Sequence, residues 1–250
     1  MFVQLKIIMK SFTSILFLAI TFSLSTLHAQ TADQVIEGYV KFIGGEKNWA
    51  KVKTIITSGE YNYGGAAFPF TATAKAPNLY KFIVPFNGKY YAQAFDGTKG
   101  WKIDAFKNET EPTLLTGKPA LAMANEADVE LEDALINYMI KGHQATLEGT
   151  ELQENKECFK VNFTRKTGEI ETYFFDVKNY SLIMKRAVSK NIELEASLLS
   201  TFYSDYRDVK GIKIPFKAIS EANGQTILTI TIEKVELNKP VADSEFQPNN

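Results

Sequence analysis

The sequence predicts an α+β fold in which one large, curled antiparallel sheet is accompanied by few helices. Apolar and polar residues alternate over most of the chain between Val52 and Leu237, and this is the period of half-buried strands. The turn pairs Asn87-Gly88 and Asn223-Gly224 separate alternating segments, so neighbouring strands are expected to be antiparallel. Further turn pairs are Asp96-Gly97 and, with weaker signals, Thr167-Gly168 and Lys210-Gly211.

The first 29 residues are typical of a secretory signal peptide. Lys6 and Lys10 precede an apolar run over residues 15–24, and Ala29 suits the small residue before a signal-peptidase cut. The run is too short to span a bilayer of about 30 Å. Cleavage leaves residues 30–250 with 26 basic and 29 acidic side chains, a net charge of −3. With no cysteine near the cut to carry a lipid anchor, we expect a soluble periplasmic protein; an uncleaved signal would anchor the chain instead.

One helix is predicted at the start of the mature chain and one or two in its middle. Asp33 is suited to cap the first helix and Gly44-Gly45 to end it, with apolar residues at helical spacing between them. A short helical piece is expected around Trp49. Residues 119–139 lack strand alternation and suit further helices, which must cover one sheet face. The acidic run over residues 128–133 is expected at a helix start, because the helix dipole favours acids there.

About twelve strands are predicted, about five before Asp104 and about seven after Ala145. Pro69 and Pro85 lack the amide hydrogen that a ladder needs, so an edge or a bulge is expected at each. The apolar parity of the last strand changes near its end, which predicts a bulge near Glu233-Lys234. No linker or internal repeat divides the chain, so residues 30–250 are expected to form one domain.

Charge and composition exclude several classes of function. The 28 Lys+Arg against 29 Asp+Glu leave no basic footprint for nucleic acid, and the pairs Arg165-Lys166 and Lys185-Arg186 are expected on a solvated face. The one cysteine, Cys158, excludes a disulfide scaffold and a multi-cysteine metal site, and we expect it to be inert. No serine elbow, His-Glu-x-x-His pair, phosphate loop or dinucleotide fingerprint occurs. The acidic run lacks the glycine of a calcium loop. We therefore predict no enzyme, no cofactor and no metal ion.

The excess of aromatic residues on the strands is the informative feature that remains. A curled sheet with few helices leaves room for an apolar cavity on its concave face. Shelter from water is worth about 0.8 kcal/mol per methylene of an acyl chain. Each candidate residue also fits a plain core position. The candidates for lining or flooring the cavity are Phe68, Phe70, Phe82, Val84, Trp101, Phe174, Phe202, Ile230 and Ile232, and those for a helical lid are Met123, Leu131, Leu135 and Met139.

Several segments, in this order, resemble the outer-membrane lipoprotein-sorting proteins, the LolA/LolB-like superfamily of periplasmic lipoprotein carriers. The resemblance covers most of the mature chain. The segments are Ala32–Gly45 (ADQVIEGYVKFIGG), Phe95–Trp101 (FDGTKGW), Leu135–His143 (LINYMIKGH), Tyr203–Phe216 (YSDYRDVKGIKIPF) and Ile232–Phe246 (IEKVELNKPVADSEF).

The resemblance implies an incomplete (half) β-barrel, here of about eleven or twelve strands, with the N-terminal and central helices covering its concave face around a hydrophobic cavity. It further implies a carrier that binds the acyl chains of lipoproteins in transit to the outer membrane, and it brings no catalytic residues. This chain is longer than the compact carriers, and none of its positions aligns with a carrier's functional arginine. Binding of another lipid or hydrophobic molecule is therefore expected almost as strongly.

Two other functions remain open at the level of sequence. An interaction or stress-sensing module would use the convex face or an edge strand of the same scaffold to bind an envelope protein. An enzyme would need a cluster of titratable groups, for which Asp205, Arg207 and His143 are the candidates. The partners expected are thus acyl chains or another lipid and an envelope protein, with no nucleic acid, and the chain is expected to be a monomer.

Overall fold

The computed structural model describes residues 30–131, 133–189 and 197–248, with the side chains of Phe86 and of residues 128–131 left out. Within these residues, 13 antiparallel strands form one open sheet, in the order β6-β5-β4-β3-β2-β1-β13-β12-β11-β10-β9-β8-β7. Three α-helices accompany it. The predicted class, an α+β fold with an open, curled half-barrel sheet, is confirmed.

The helices are α1 (Ala32–Phe42), α2 (Glu46–Trp49) and α3 (Gly117–Leu131). The strands before α3 are β1 (Thr54–Tyr63), β2 (Ala66–Lys75), β3 (Leu79–Phe86), β4 (Lys89–Asp96), β5 (Gly100–Asp104) and β6 (Glu109–Leu114). The strands after α3 are β7 (Gln144–Gln153), β8 (Lys156–Thr164), β9 (Ile170–Asp176), β10 (Leu182–Val188), β11 (Leu198–Val209), β12 (Ile212–Ala222) and β13 (Gln225–Leu237). No helix in these ranges is long and apolar enough to cross a membrane.

The predicted strand count was one short because β6 was missed. Its sequence, ETEPTL, has no apolar alternation and contains a proline. The strand exists because it lies at the sheet edge and pairs with β5, where Trp101 faces Leu114. Tertiary pairing, rather than local pattern, therefore decides this element.

The turn chemistry predicted from sequence is confirmed at three hairpins. Asn87-Gly88, Lys210-Gly211 and Asn223-Gly224 each form the entire connection between two strands, and both residues of each pair have positive φ. This is the backbone geometry for which an Asn-Gly pair is suited. Pro69 and Pro85 lie beyond the end of the β2–β3 ladder, which pairs residues 71–75 with 79–83, so each is at a local edge as predicted.

The predicted bulge in the last strand is present in the ladder that joins β13 to β1. Ser58 pairs with Lys234 and Gly59 with Ile232, so Glu233 is the extra residue. A Cβ at Gly59 would lie 2.0 Å from the carbonyl oxygen of Thr231. Only glycine fits opposite this bulge, because a backbone atom cannot swing aside as a side chain does.

The capping residue of α1 differs from the expectation. Thr31, rather than Asp33, caps the helix: its hydroxyl accepts from the Gln34 amide at 3.2 Å, and its own amide donates to the Gln34 side chain at 3.0 Å. This reciprocal pair is a capping box. The Asp33 carboxylate instead accepts the hydroxyl of Tyr138.

The middle of the chain is less helical than expected. Helix α3 covers the first part of the predicted region, and residues 134–142 form turns. The described part of the acidic run over residues 128–133 therefore lies in the last turn of α3 and, at Asp133, after it, which corrects the prediction of a helix start. The apolar spacing after residue 133 serves packing in these turns, since Leu135 and Ile136 are buried against α1 and β8.

The helices cover one face of the sheet, which we call the inner face. Helix α1 and residues 134–138 pack on β8, β9 and β10, whereas α3 packs on β2, β3 and β4. On the opposite, outer face the C-terminal segment crosses β2, β3 and β5. Its carbonyl groups at Val241, Glu245 and Phe246 accept hydrogen bonds from Lys75, Lys81 and Trp101 respectively.

Replacing Gly59 with alanine should destabilise the protein by about 1–3 kcal/mol or more, because the new methyl group overlaps backbone that cannot relax cheaply. Urea unfolding followed by circular dichroism measures the loss. The neighbouring Ser58→Ala variant is the control and should change stability by about 0.5 kcal/mol or less. Equal stability of Gly59→Ala and Ser58→Ala would contradict the account of the bulge.

Candidate functional site

Most of the predicted cavity residues meet on the inner face beside α3. Phe70, Val84 and Met123 are buried there and form a floor. Four further predicted residues are half-buried above this floor, namely Phe68, Phe82, Ile230 and Ile232. The strand order explains the meeting, because β13 pairs with β1 and β1 with β2, so Ile230, Tyr61 and Phe68 lie side by side.

The half-buried residues form a continuous aromatic and aliphatic surface with three residues that sequence reasoning missed. The ring of Phe82 lies 5.6 Å from that of Phe70 and 5.5 Å, edge-on, from that of Tyr61. Tyr61 and Tyr63 stack at 6.3 Å, and Phe106 lies 6.3 Å from Phe68. We call this surface the inner apolar patch: Tyr61, Tyr63, Phe68, Phe82, Phe106, Ile230 and Ile232. The alternation of aromatic and polar residues in Tyr61-Asn62-Tyr63 was the sequence signal that could have identified the two tyrosines.

Three predicted residues lie on the outer face instead. Trp101 is buried beneath the C-terminal segment, and its indole Nε1 donates to the carbonyl of Phe246 at 2.8 Å. Phe174 and Phe202 pack with Cys158 and Met184 in a separate outer cluster. The correction has a simple cause: alternation separates the two faces of a strand but does not say which face is covered by helices.

The predicted lid residues also divide. Met123 belongs to the floor, but Leu135 is fully buried in the core beneath α1. Met139 is 65% exposed and lies outside the apolar patch. The side chain of Leu131 lies outside those that the structure describes. An Asp at position 135 is therefore expected to unfold the protein, which corrects the earlier view of Leu135 as part of a movable cover.

A few polar groups border the inner apolar patch. The Tyr91 hydroxyl donates to the side-chain oxygen of Gln93 at 2.8 Å. Burial, followed by the nearby charge of Glu126, raises the pKa of the Tyr91 hydroxyl. Burial also raises the pKa of Tyr61, with smaller effects from Tyr63 and Glu126. Both phenols are thus neutral hydrogen-bonding groups at the edge of an apolar surface.

A second inner-face feature is a cluster of three charged side chains and one tyrosine, which we call the inner polar cluster: Arg165 directly after β8, Glu171 and Tyr173 on β9, and Lys185 on β10. The Glu171 Oε2 atom accepts from Arg165 Nη2 at 3.0 Å, from Arg165 Nε at 3.1 Å and from the Tyr173 hydroxyl at 2.9 Å. Its Oε1 atom lies 4.0 Å from Lys185 Nζ. The Arg165 and Glu171 side chains are only 5% and 6% exposed, so the expectation that Arg165 is solvated was wrong.

The charges of the inner polar cluster shift one another's titration. Burial alone raises the pKa of the Glu171 carboxyl, but Lys185 and Arg165 outweigh it and hold that pKa below its ordinary value. The Tyr203 oxygen raises the pKa of Lys185 against the lowering effect of burial, and Glu171 raises it further. The cluster is therefore ionised at neutral pH, with two cations around one carboxylate.

Of the three candidate catalytic residues, Asp205 and Arg207 form a pair, and the described contacts of His143 are with other residues. His143 is buried against Phe163 at a ring distance of 5.1 Å, and its Nδ1 atom accepts from the Lys166 amide at 3.1 Å. Arg207 instead binds Asp205 on β11, at 2.6 Å. Cys158 is completely buried, and burial raises its pKa to about 11. In the described ranges, no group of His, Cys, Asp and Glu side chains is arranged to hold a metal ion.

Two clefts are prominent in the structure. The larger, about 550 Å³, is an open groove on the outer face, and its lining includes Pro69, Ile83, Pro85, Tyr90, Lys81 and Lys89. The smaller, about 310 Å³, lies between β5 and the start of α3 and includes Phe95, Leu115, Ala120 and Ala124. The larger cleft therefore lies on the face opposite the inner apolar patch, whereas the smaller one includes Phe95 of the inner-face core.

Comparison with known proteins identifies the fold through solved structures. No family model and no curated protein sequence matches the chain. Among solved structures, a LolA superfamily protein from Nitrosomonas europaea matches with a TM-score of 0.56 and 13% identity over 88% of this chain and 98% of that one. A DUF1329 family protein from Desulfovibrio piger matches with a TM-score of 0.56 and 13% identity, over 86% and 97% of the two chains.

A putative outer membrane lipoprotein-sorting protein domain from Vibrio parahaemolyticus also matches, with a TM-score of 0.56 and 8% identity over 87% and 97% of the two chains. Identities this low show the fold alone. The chain therefore has a LolA-like fold, as the sequence resemblance implied.

Replacing Glu171 with glutamine should cost about 3–5 kcal/mol of stability at neutral pH, because Arg165 is then left buried without its counter-ion. The stability that this carboxylate contributes is present above its unfolded pKa of about 4.3 and is lost as the pH falls through the lower folded value. Urea unfolding should therefore show a smaller difference in the free energy of unfolding between parent and variant at about pH 3 than at neutral pH.

The control for this variant is Glu151→Gln, which removes an exposed ion pair with Lys160 on the outer face. It should cost about 1 kcal/mol or less. A Glu171→Gln variant as stable as Glu151→Gln would show that the inner polar cluster is not the buried, coupled group described above.

Proposed function

We propose that the protein is a non-enzymatic periplasmic carrier that binds the acyl chains of lipoproteins, or of another lipid, on the inner face of its sheet. The observation that carries the proposal is the inner apolar patch. Its side chains are large, adjacent and only half-buried or, at Tyr63 and Phe106, exposed. A contiguous apolar surface of this kind on a secreted protein calls for an apolar partner.

The shape of the patch suits a hydrocarbon chain better than a small polar ligand. Ile230, Tyr61 and Phe68 follow one another across three neighbouring strands, with a buried floor of Phe70, Val84 and Met123 beside them. A chain laid across these side chains loses water along its length, at about 0.8 kcal/mol per methylene. A methionine in the floor adapts to chains of different length.

The scaffold supports the same proposal without proving it. The solved structures with this fold include a LolA superfamily protein and a putative outer membrane lipoprotein-sorting domain. A fold is compatible with many functions, so lipoprotein sorting comes to this chain as a proposal, and binding of another lipid stands beside it.

The proposed location follows from residues 1–29 as a signal peptide. A cut after Ala29 leaves the capping threonine, Thr31, on the mature side. The helix that begins at Ala32 therefore keeps its capping box after processing. We propose that residues 30–250 act as one domain and as a monomer in the periplasm.

A second candidate is an interaction module that binds an envelope protein through the outer face. The groove of about 550 Å³ favours it, because Ile83, Pro85 and Tyr90 offer apolar contacts between Lys81 and Lys89. This groove lies on the opposite face from the inner apolar patch. Binding to one does not exclude binding to the other, and variants of each face separate the two functions.

The proposed carrier is tested by native mass spectrometry, with lipid extraction, of the protein expressed from its full sequence and purified from a periplasm. The expected result is a polypeptide that begins at Gln30 and carries an acyl lipid or an acylated protein. A protein free of lipid that also takes up no fluorescent fatty acid would overturn the carrier and leave the interaction module.

Replacing Ile230 with aspartate should weaken uptake of a fluorescent fatty acid by tenfold or more, since it puts a charge in the middle of the patch at a cost of at least about 1.4 kcal/mol. The fold should survive, because Ile230 is only half-buried. The matched control is Ile170→Asp, at a position that is 63% exposed. If Ile230→Asp and Ile170→Asp are equally stable to heat and take up the fluorescent fatty acid equally well, the patch is not the binding surface.

A further inference from the structure

We propose that the inner face selects acyl lipids with an anionic head group, which Lys185 binds while the hydrocarbon chain lies across the inner apolar patch. This inference rests on the proposed carrier function and names its ligand class. It joins two features of the inner face: Lys185 of the inner polar cluster, on β10, and the inner apolar patch, which begins three strands away at β13.

The contacts that the described residues make with Lys185 leave part of its hydrogen-bonding capacity open. Glu171 directs one carboxylate oxygen to Arg165 and Tyr173, and the other lies 4.0 Å from Lys185 Nζ. That distance is an ion pair but too long for a hydrogen bond. An ammonium has three donors, and 27% of the Lys185 side chain is exposed, so a ligand can reach it.

The open donors of Lys185 favour an anion over a neutral head group. Within the inner polar cluster, Arg165 and Lys185 carry two positive charges and Glu171 carries one negative charge. Asp133 adds a second negative charge that acts on Lys185. Its two oxygens already accept the Tyr39 hydroxyl at 2.5 Å and the Leu135 amide at 2.9 Å.

The position of Lys185 in the sheet connects it to the patch. Cross-strand pairing sets Lys185 opposite Thr201, Thr201 opposite Ser220, and Ser220 opposite Leu228. The hydroxyls of Thr201 and Ser220 lie 2.9 Å apart. These three polar residues form a polar row that leads from Lys185 towards β13 on the inner face.

The polar row ends where the apolar patch begins. Leu228 pairs with Tyr63, and two residues along the same strands Ile230 pairs with Tyr61. From β10 to β13 is three strand spacings of about 4.8 Å, or about 14 Å. An amphiphile with its charge at Lys185 therefore passes two hydroxyls and then lies on Ile230, Tyr61 and Phe68. The inner face thus has a polar end and an apolar end in the order that such a molecule requires.

This arrangement distinguishes between the ligands of the proposed function. An acyl chain linked to a protein by an ester or amide has no charge at its carbonyl end, whereas a fatty acid or a lipid phosphate has one. A lysine with open donors stabilises the latter by a charge-assisted hydrogen bond. The inference therefore favours a free anionic lipid, either a carboxylate or a phosphate, over a lipoprotein.

The test compares three ligands with one chain length, namely palmitate, hexadecyl phosphate and hexadecanol, in competition with a fluorescent fatty acid on the purified full-length secreted protein. The parent should bind at least one of the two anions about 10- to 100-fold more tightly than the alcohol, the range expected for hydrogen bonds to a charged group. Lys185→Met should abolish this preference while leaving hexadecanol binding unchanged. Which anion binds more tightly identifies a carboxylate or a phosphate head.

Two further variants keep the result interpretable. Lys160→Met removes a lysine of the same sheet on the outer face, which is paired with Glu151 at 2.9 Å, and should leave the preference intact. Lys185→Arg keeps the charge and should restore most of the preference that Lys185→Met loses. Their thermal unfolding shows whether each is folded.

The failures of the two proposals are distinguishable. Equal binding of alcohol and anions by the parent, or an anion preference that survives in Lys185→Met, would overturn the head-group site and leave the carrier standing. No binding of any of the three ligands would overturn both. Loss of hexadecanol binding in a folded Lys185→Met variant would also contradict the head-group site, because it would assign Lys185 to the apolar surface.

Discussion

The pairing of β1 with β13 is the constraint on which both inner-face features depend. It joins the strands that precede α3 to those that follow it, and so places Tyr61 beside Ile230 on one face. The bulge at Glu233 changes the parity of β13, which allows Val235 and Ile232 to face the same core. Gly59 permits the bulge because its backbone passes too close to Thr231 for a side chain. One glycine and one extra residue thus fix how β1 and its neighbours, which carry most of the inner apolar patch, are joined to β13 and the strands that follow α3.

The sheet buries both of its faces, by different means, and this determines which strand residues are free for a ligand. Helices and turns cover the inner face at β8–β10 and at β2–β4. The C-terminal segment covers part of the outer face, where Lys75, Lys81 and Trp101 hold its carbonyl groups. Between the two helical covers the described inner face carries Tyr61, Ile230 and the polar row, of which Tyr61, Ile230 and Thr201 are half-buried and Ser220 is buried. The surface proposed for ligand binding therefore consists of side chains that the described elements cover only in part.

Much of the fold could be predicted because its signals are local. Alternation and two-residue turns require only neighbouring residues, and they gave the strands, the hairpins and the bulge. Alternation does not identify the covered face: β5 carries its apolar residues, Trp101 and Ile103, on the outer face, whereas β2 and β3 carry Phe70 and Val84 on the inner face. Trp101 illustrates this, because it is buried by Phe246, 145 residues away. Phe174 and Phe202 were assigned to the wrong face for the same reason, and β6 exists only through its partner strand.

The inner polar cluster was missed because charge pairs in a sequence are usually solvated. Arg165-Lys166 and Lys185-Arg186 alternate faces, so one member of each pair points inward and the other does not: Arg186 lies over the Phe174 ring on the outer face, at 5.1 Å. Taking Arg165 and Glu171 out of water costs several kcal/mol per ion, and apolar residues of similar size would serve a core as well or better. Packing alone does not call for a lysine that is 27% exposed beside them. The anionic lipid proposed above would bind the donors that Glu171 leaves open on Lys185, and it would give the cluster a function that stability does not provide.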